Sequence, residues 1–155
     1  MIKSGKLRWI SSQEVYVMAD MVRRIEYYYI VVPNRIGEGA KVLNALKAEG
    51  VNLAAFSGFP VSARRAQIDF VPSNRDAFLA AAKKAGLKPV GPKVAFLIQG
   101  QDRMGAVADI VGKLREAKIN ITAMQAIVAG EGHYGAILWV KPRNISKAAQ
   151  ALGAS

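Results

Sequence analysis

The chain has 155 residues, an apolar fraction of 52% and a formal net charge of +11, enough apolar material for a packed core and too much for a disordered chain. With no cysteine, it excludes disulfide scaffolds and thiolate metal sites. No apolar run reaches membrane-spanning length, and Glu14 and Asp20 interrupt the basic N-terminus, so a cytoplasmic protein with no membrane partner and no secretory signal is expected.

Residues 1–24 read as an N-terminal extension, within which Glu14–Met18 (EVYVM) alternates like a strand. Tyr27–Val32 (YYYIVV) is aromatic and β-branched, is bounded by Pro33 and predicts a strand covered on both faces. Asn34–Glu38 is a turn. Gly39–Glu49 carries Val42, Leu43 and Leu46 at helical spacing and is stopped by Gly50. Asn52–Phe59 and Ala66–Val71 predict two further strands. Arg75–Ala85, with Phe78, Leu79 and Ala82 inward, predicts a second helix ended by Gly86. Lys88–Val90 predicts a short fourth strand, placed at an edge by Pro89.

The same order then returns. Val94–Gln99 is a strand and Gly100–Gly105 a turn. Val107, Ile110, Val111 and Leu114 form a helical stripe. Asn120–Ala129 and Tyr134–Val140 are strands joined by a glycine-rich hairpin, and Ile145–Leu152 closes the chain as a helix. The return is literal at two places. Asn34-Arg35-Ile36-Gly37 is echoed by Asp102-Arg103-Met104-Gly105, and Val51-Asn52-Leu53 by Ile119-Asn120-Ile121, both at an offset of 68 residues. The organisation expected is therefore an extension (1–24), a first unit (25–91) and a second unit (92–155). Each unit is α+β and ferredoxin-like, with a βαββαβ order, an antiparallel four-stranded sheet and helices on one face. The second unit lacks its last strand. An open edge beside Val94–Gln99 would be a liability, to be filled by Glu14–Met18 or by a partner subunit.

These residues resemble the ACT domain, a small regulatory module of amino-acid metabolism. The resemblance rests on an apolar strand, an N/D-R-x-G turn, a helix and a second strand opened by Gly50-Val51-Asn52-Leu53 or Lys118-Ile119-Asn120-Ile121. It covers Tyr27 to Gly153. It implies a non-catalytic protein with no cofactor, binding a small ligand, an amino acid, and acting as a homodimer or on a regulated protein partner through ligand-dependent packing of its units.

The residues themselves supply a chemistry for this. A helix opened by Gly37 or Gly105 presents unpaired N–H groups suited to a carboxylate. Asp102 is an ionised acceptor for an ammonium where Asn34 offers only an amide, and Asn52 and Asn120 can both donate and accept. The candidate ligand residues are Asp102, Arg103, Met104, Gly105, Asn120 and Ile121 in the second copy, and Asn34, Arg35, Gly37 and Asn52 in the first. Asn and Asp also cap turns, a purely structural use. Two alternatives stand beside the sensor: a ligand-free interaction scaffold and, ranked below it, an RNA-binding protein of the same topology. The RNA reading rests on the net charge and on a partial match of Tyr134, Gly135, Ile137 and Trp139 to an aromatic third-strand motif. His133, the single histidine, offers no metal site.

Overall fold

A computed structural model describes residues 19–155. Strand β1 (Met21–Pro33) is followed by α1 (Glu38–Ala48), β2 (Leu53–Ser62), β3 (Arg65–Pro72) and α2 (Arg75–Lys84). The second half retraces this as β4 (Val90–Gln101), α3 (Ala106–Glu116), β5 (Ile121–Gly130), β6 (His133–Val140) and, after a short 3-10 turn at Pro142–Asn144, α4 (Ile145–Leu152). The fold is α+β and ferredoxin-like in each half. The two sheets are continuous: one six-stranded sheet in the order β2-β3-β1-β4-β6-β5, antiparallel throughout.

The join explains the missing strand. The strand expected at Tyr27–Val32 begins at Met21, and its two halves do different work. Tyr28–Pro33 pairs with β3 of the first unit, whereas Met21–Tyr27 pairs with Gln99–Lys93 of the second. The edge of Val94–Gln99 is thus filled by the chain's own first strand, not by a partner subunit. Glu14–Met18 lies outside the described residues. In return, β4 begins against Tyr29 through Val90, so the expected edge strand at Lys88–Val90 is instead the lead-in to a central strand. A register irregularity opposite Tyr28 marks this handover. At Gly91 (φ 147°) a Cβ would come within 2.8 Å of the Tyr28 ring and 2.9 Å of the Tyr27 carbonyl, so only glycine fits.

Burial follows strand parity. Tyr28 and Ile30 of β1 pack with Val42, Leu46, Phe78 and Ala81 of α1 and α2. Val22, on the same face of the same strand, packs with Ile110, Leu114, Ala148 and Leu152 of α3 and α4. All four helices therefore cover one face of the sheet. The helix-free face is not bare. Val71, Ala95, Ile137 and Trp139 are buried there, with Tyr27, Leu97 and Ala55 packed against them. The sheet curls enough for its two edge strands to touch: Ser57 Oγ of β2 donates to Gln125 Oε1 of β5 at 3.2 Å. Positions 57 and 125 are counterparts at the 68-residue offset, as are Glu26 and Val94, which pair at the centre of the β1–β4 junction. An approximate twofold axis thus runs from the middle of the sheet to the seam that closes it.

Candidate ligand-binding sites

Both signature turns lie where a strand on the sheet hands over to a helix. Asn34 is tied to the β2–β3 hairpin, its N–H donating to Arg64 O at 2.9 Å and its Nδ2 to Ala63 O at 3.4 Å. The Asp102 N–H donates to Gly132 O in the β5–β6 hairpin at 2.7 Å. Gly37 (φ 89°) and Gly105 (φ 81°) each take the left-handed conformation that starts the helix, and neither helix has a side-chain cap, so first-turn N–H groups stay open. Arg35, Asp102 and the turn-tip residues Ile36 and Met104 are exposed. Beside the second turn, Asp102, Gly105, Val107, Ile127 and Val128 line a shallow groove of about 300 Å³.

Arg103 is folded back into the protein. Its guanidinium forks onto Asp20 (2.9 and 3.1 Å) and reaches Asp109 at 2.8 Å. These hydrogen bonds to Arg103 hold the Asp20 carboxyl below its ordinary value in spite of burial, and the two carboxylates raise the guanidinium further above its own. Gly100 makes the room: a Cβ there would collide with the Asp20 carboxylate and come within 2.9 Å of the Tyr134 ring. Burial, then the neighbouring Asp20, push the Tyr134 phenol up to about 12.

The second-strand residues do not join these turns. Ile121, next to Asn120, pairs with Val140 at the end of β6, while the Asp102 turn adjoins its beginning. Most of β5 separates them, roughly 30 Å at ~3.3 Å per residue. Asn52 is likewise at the far end of its unit, with Nδ2 donating to Ser73 Oγ at 3.2 Å. The reason is the helix between: it carries the chain back across the sheet, so each second strand starts at the opposite end from the turn. A ligand bridging Asp102–Gly105 and Asn120 within one unit is excluded.

The larger concavity is on the helix-free face, inside the curled sheet. It encloses about 800 Å³ and is lined by both halves, with Tyr27, Ser57, Phe59 and Asp69 from the first and Lys93, Met124, Gln125 and Trp139 among those from the second. Asp69 is 5% exposed, and its Oδ1 accepts from Gln67 Nε2 at 2.8 Å. Desolvation raises its carboxyl above the ordinary value, opposed by Gln67 and Lys93. The same burial, with the Asp69 charge, raises the Tyr27 phenol. Lys93 lies over the Tyr29 ring at 4.9 Å. Tyr27 meets Trp139 edge to face at 6.2 Å, and the Trp139 Nε1–H is buried without a partner. Trp139, at 8% exposure, is not displayed for stacking on bases, which removes the residue on which the RNA motif leaned. The sequence reading passed over Asp69, Gln67 and Lys93. Comparing copies at the 68-residue offset would have flagged them, since their counterparts are Ile137, Gly135 and Ile25.

No family model matches the chain, and no curated protein sequence does. Solved structures do. Protein BT0572 from Bacteroides thetaiotaomicron superposes with a TM-score of 0.71 at 22% identity, covering 86% of this chain and 88% of that one. The regulatory subunit of aspartate kinase from Thermus thermophilus, in a ligand-free form, gives 0.61 at 17% identity over 88% and 96%. Its counterpart from Thermus flavus gives 0.56 at 16% identity over 88% and 96%. The fold is the tandem ACT fold. At these identities the likeness is one of architecture, so any ligand of this chain has to be argued from its own residues.

Proposed function

We propose that this tandem ACT protein is a non-catalytic regulatory module that binds a small molecule, an amino acid, and reports its occupancy to a partner protein. The observation that carries the reading is the cleft on the helix-free face, whose walls come from both ACT units. A ligand held there contacts each unit at once, so it stabilises whichever packing of the two fits it best. The similar fold of the Thermus regulatory subunits supports a regulatory rather than a catalytic role. The cleft offers a buried carboxylate, a lysine and indole and amide donors around apolar walls, which is the make-up of a small-molecule site.

A thermal-shift panel of the common amino acids tests this. A site-specific ligand at 100 times its Kd adds about 2.7 kcal/mol of stability. A flat panel sinks the ligand reading.

A second reading has its own support. Val107, Ile127 and Val128, with Met104 beside them, leave an exposed apolar strip at the signature turn of the second unit. In this reading the turn residues Asp102–Gly105 serve an interface, as in a dimer or an interaction scaffold. Sedimentation of the wild type against Ile127→Lys separates the two, because only the scaffold reading requires the substitution to break an assembly.

A further inference from the structure

Asp69 is costly where it stands. A carboxylate 95% removed from solvent is stabilised only by compensating donors and charge. Gln67 supplies one donor, its Nε2 reaching Oδ1 at 2.8 Å, and that single neutral donor leaves the charge of the carboxylate uncompensated. Lys93 on β4 is the cation that faces it, yet it rests on the Tyr29 ring and forms no ion pair with Asp69. The fold does not require a carboxylate here. The counterpart position in the second unit is Ile137, buried on the same face of the equivalent strand. Trp139 tells the same story: its counterpart is Val71, and its indole N–H is left without an acceptor. Each unit thus carries one polar-bearing side chain where the other unit has an aliphatic one, and both line one cleft.

We infer that the cleft recognises a primary amine, its ammonium group bound by Asp69 and its apolar body lying among Phe59, Met124 and Trp139. This rests on the cleft being the ligand site proposed above. An ammonium adds a charged donor to the single neutral one from Gln67 and supplies the charge that a buried carboxylate needs, and the Tyr27 and Trp139 rings beside it favour a cation. Among the described residues, Asp69 is the only acid in the lining, whereas Lys93 and Lys141 are both there. The cleft therefore accepts one positive charge and tolerates a carboxylate on the same molecule, so phenethylamine and phenylalanine fit and a diamine such as cadaverine does not.

Titration calorimetry on the full chain tests the inference with four related probes: phenethylamine, phenylalanine, N-acetylphenylalanine and hydrocinnamate. The first two are expected to bind at least tenfold more tightly than the last two, which lack the ammonium. Asp69→Asn is expected to weaken both amines at least tenfold. Asp69→Ile copies the residue that the second unit carries at this position, so it keeps the fold while abolishing amine binding, and Asp102→Ala leaves amine binding unchanged. Equal binding of the acetylated probe or of hydrocinnamate overturns the amine requirement and leaves the ligand reading standing. Amine binding that survives Asp69→Ile overturns the assignment to this cleft. If neither amine binds at millimolar concentration the inference is wrong, and the proposed function falls with it only if the wider amino-acid panel is flat as well.

Discussion

Val22 offers the sharpest test of the shared first strand. It is 4% exposed and belongs to the core of the second unit, although it precedes every residue of the first. Val22→Ala removes two buried methyl groups at ~0.8 kcal/mol per buried carbon. With a small residual cavity, the total loss is about 2 kcal/mol. For a chain of this length that corresponds to a fall in Tm of roughly 4–8 °C. The neighbouring Arg23→Ala, on the opposite and exposed face, is expected to stay within about 0.5 kcal/mol. Urea denaturation gives the free energies, and hydrogen exchange gives the location. In Val22→Ala, protection is expected to fall at Met21–Tyr27 and at Val94–Gln99, while Ile30 and Ile68 keep theirs. An unchanged urea midpoint, or freely exchanging Val94–Gln99 amides in the wild type, would refute the pairing of β1 with β4.

Three further outcomes are expected. Gly100→Ala should destabilise by about 1–3 kcal/mol by urea denaturation, because the new methyl group displaces the Asp20 carboxylate from its place against Tyr134. Asp20 is held below its unfolded value of 3.8, so its contribution is present above that value and lost as pH falls through the folded one. Stability curves of wild type and Asp20→Asn should therefore differ at neutral pH and converge in acid below about pH 4, and a constant gap across that window would contradict the Arg103 fork. Asp69 is displaced the other way, above 3.8, with Lys93 on β4 and Tyr27 and Tyr29 on β1 around it. An ammonium ligand needs it ionised, so affinity should fall by up to about tenfold per pH unit once the pH drops below the Asp69 value. Calorimetry at several pH values reads this, with Asp69→Asn expected to be flat.

The repeated βαββα order was legible because each element carries its period and its breaker: Val42, Leu43 and Leu46 before Gly50, and Phe78, Leu79 and Ala82 before Gly86. The first half of β1 was not. Arg23, Arg24 and Glu26 read as solvated charge, and a strand of which one half serves each of two cores shows no single alternation. The candidate turns were found where expected, at glycine-opened helix starts. Their grouping with Asn52 and Asn120 failed because nearness in the sequence motif does not say at which end of a sheet a strand begins; the returning helix decides that. The cleft was invisible to motif reading, since Asp69, Lys93 and Trp139 come from three strands that only the curled sheet brings together.

The sharing of β1 also sets a timetable for synthesis. Residues Met21–Tyr27 leave the ribosome early, yet their partners run from Lys93 to Gln99. At ~5–20 residues per second, this half-strand waits roughly 4–15 s while the first unit completes itself. During that interval, Val22 and Ile25 trail unpaired beside an already folded neighbour. A nascent chain stalled before β4 should therefore recruit chaperones or associate through that segment, and release of the second unit should end the exposure in a single step.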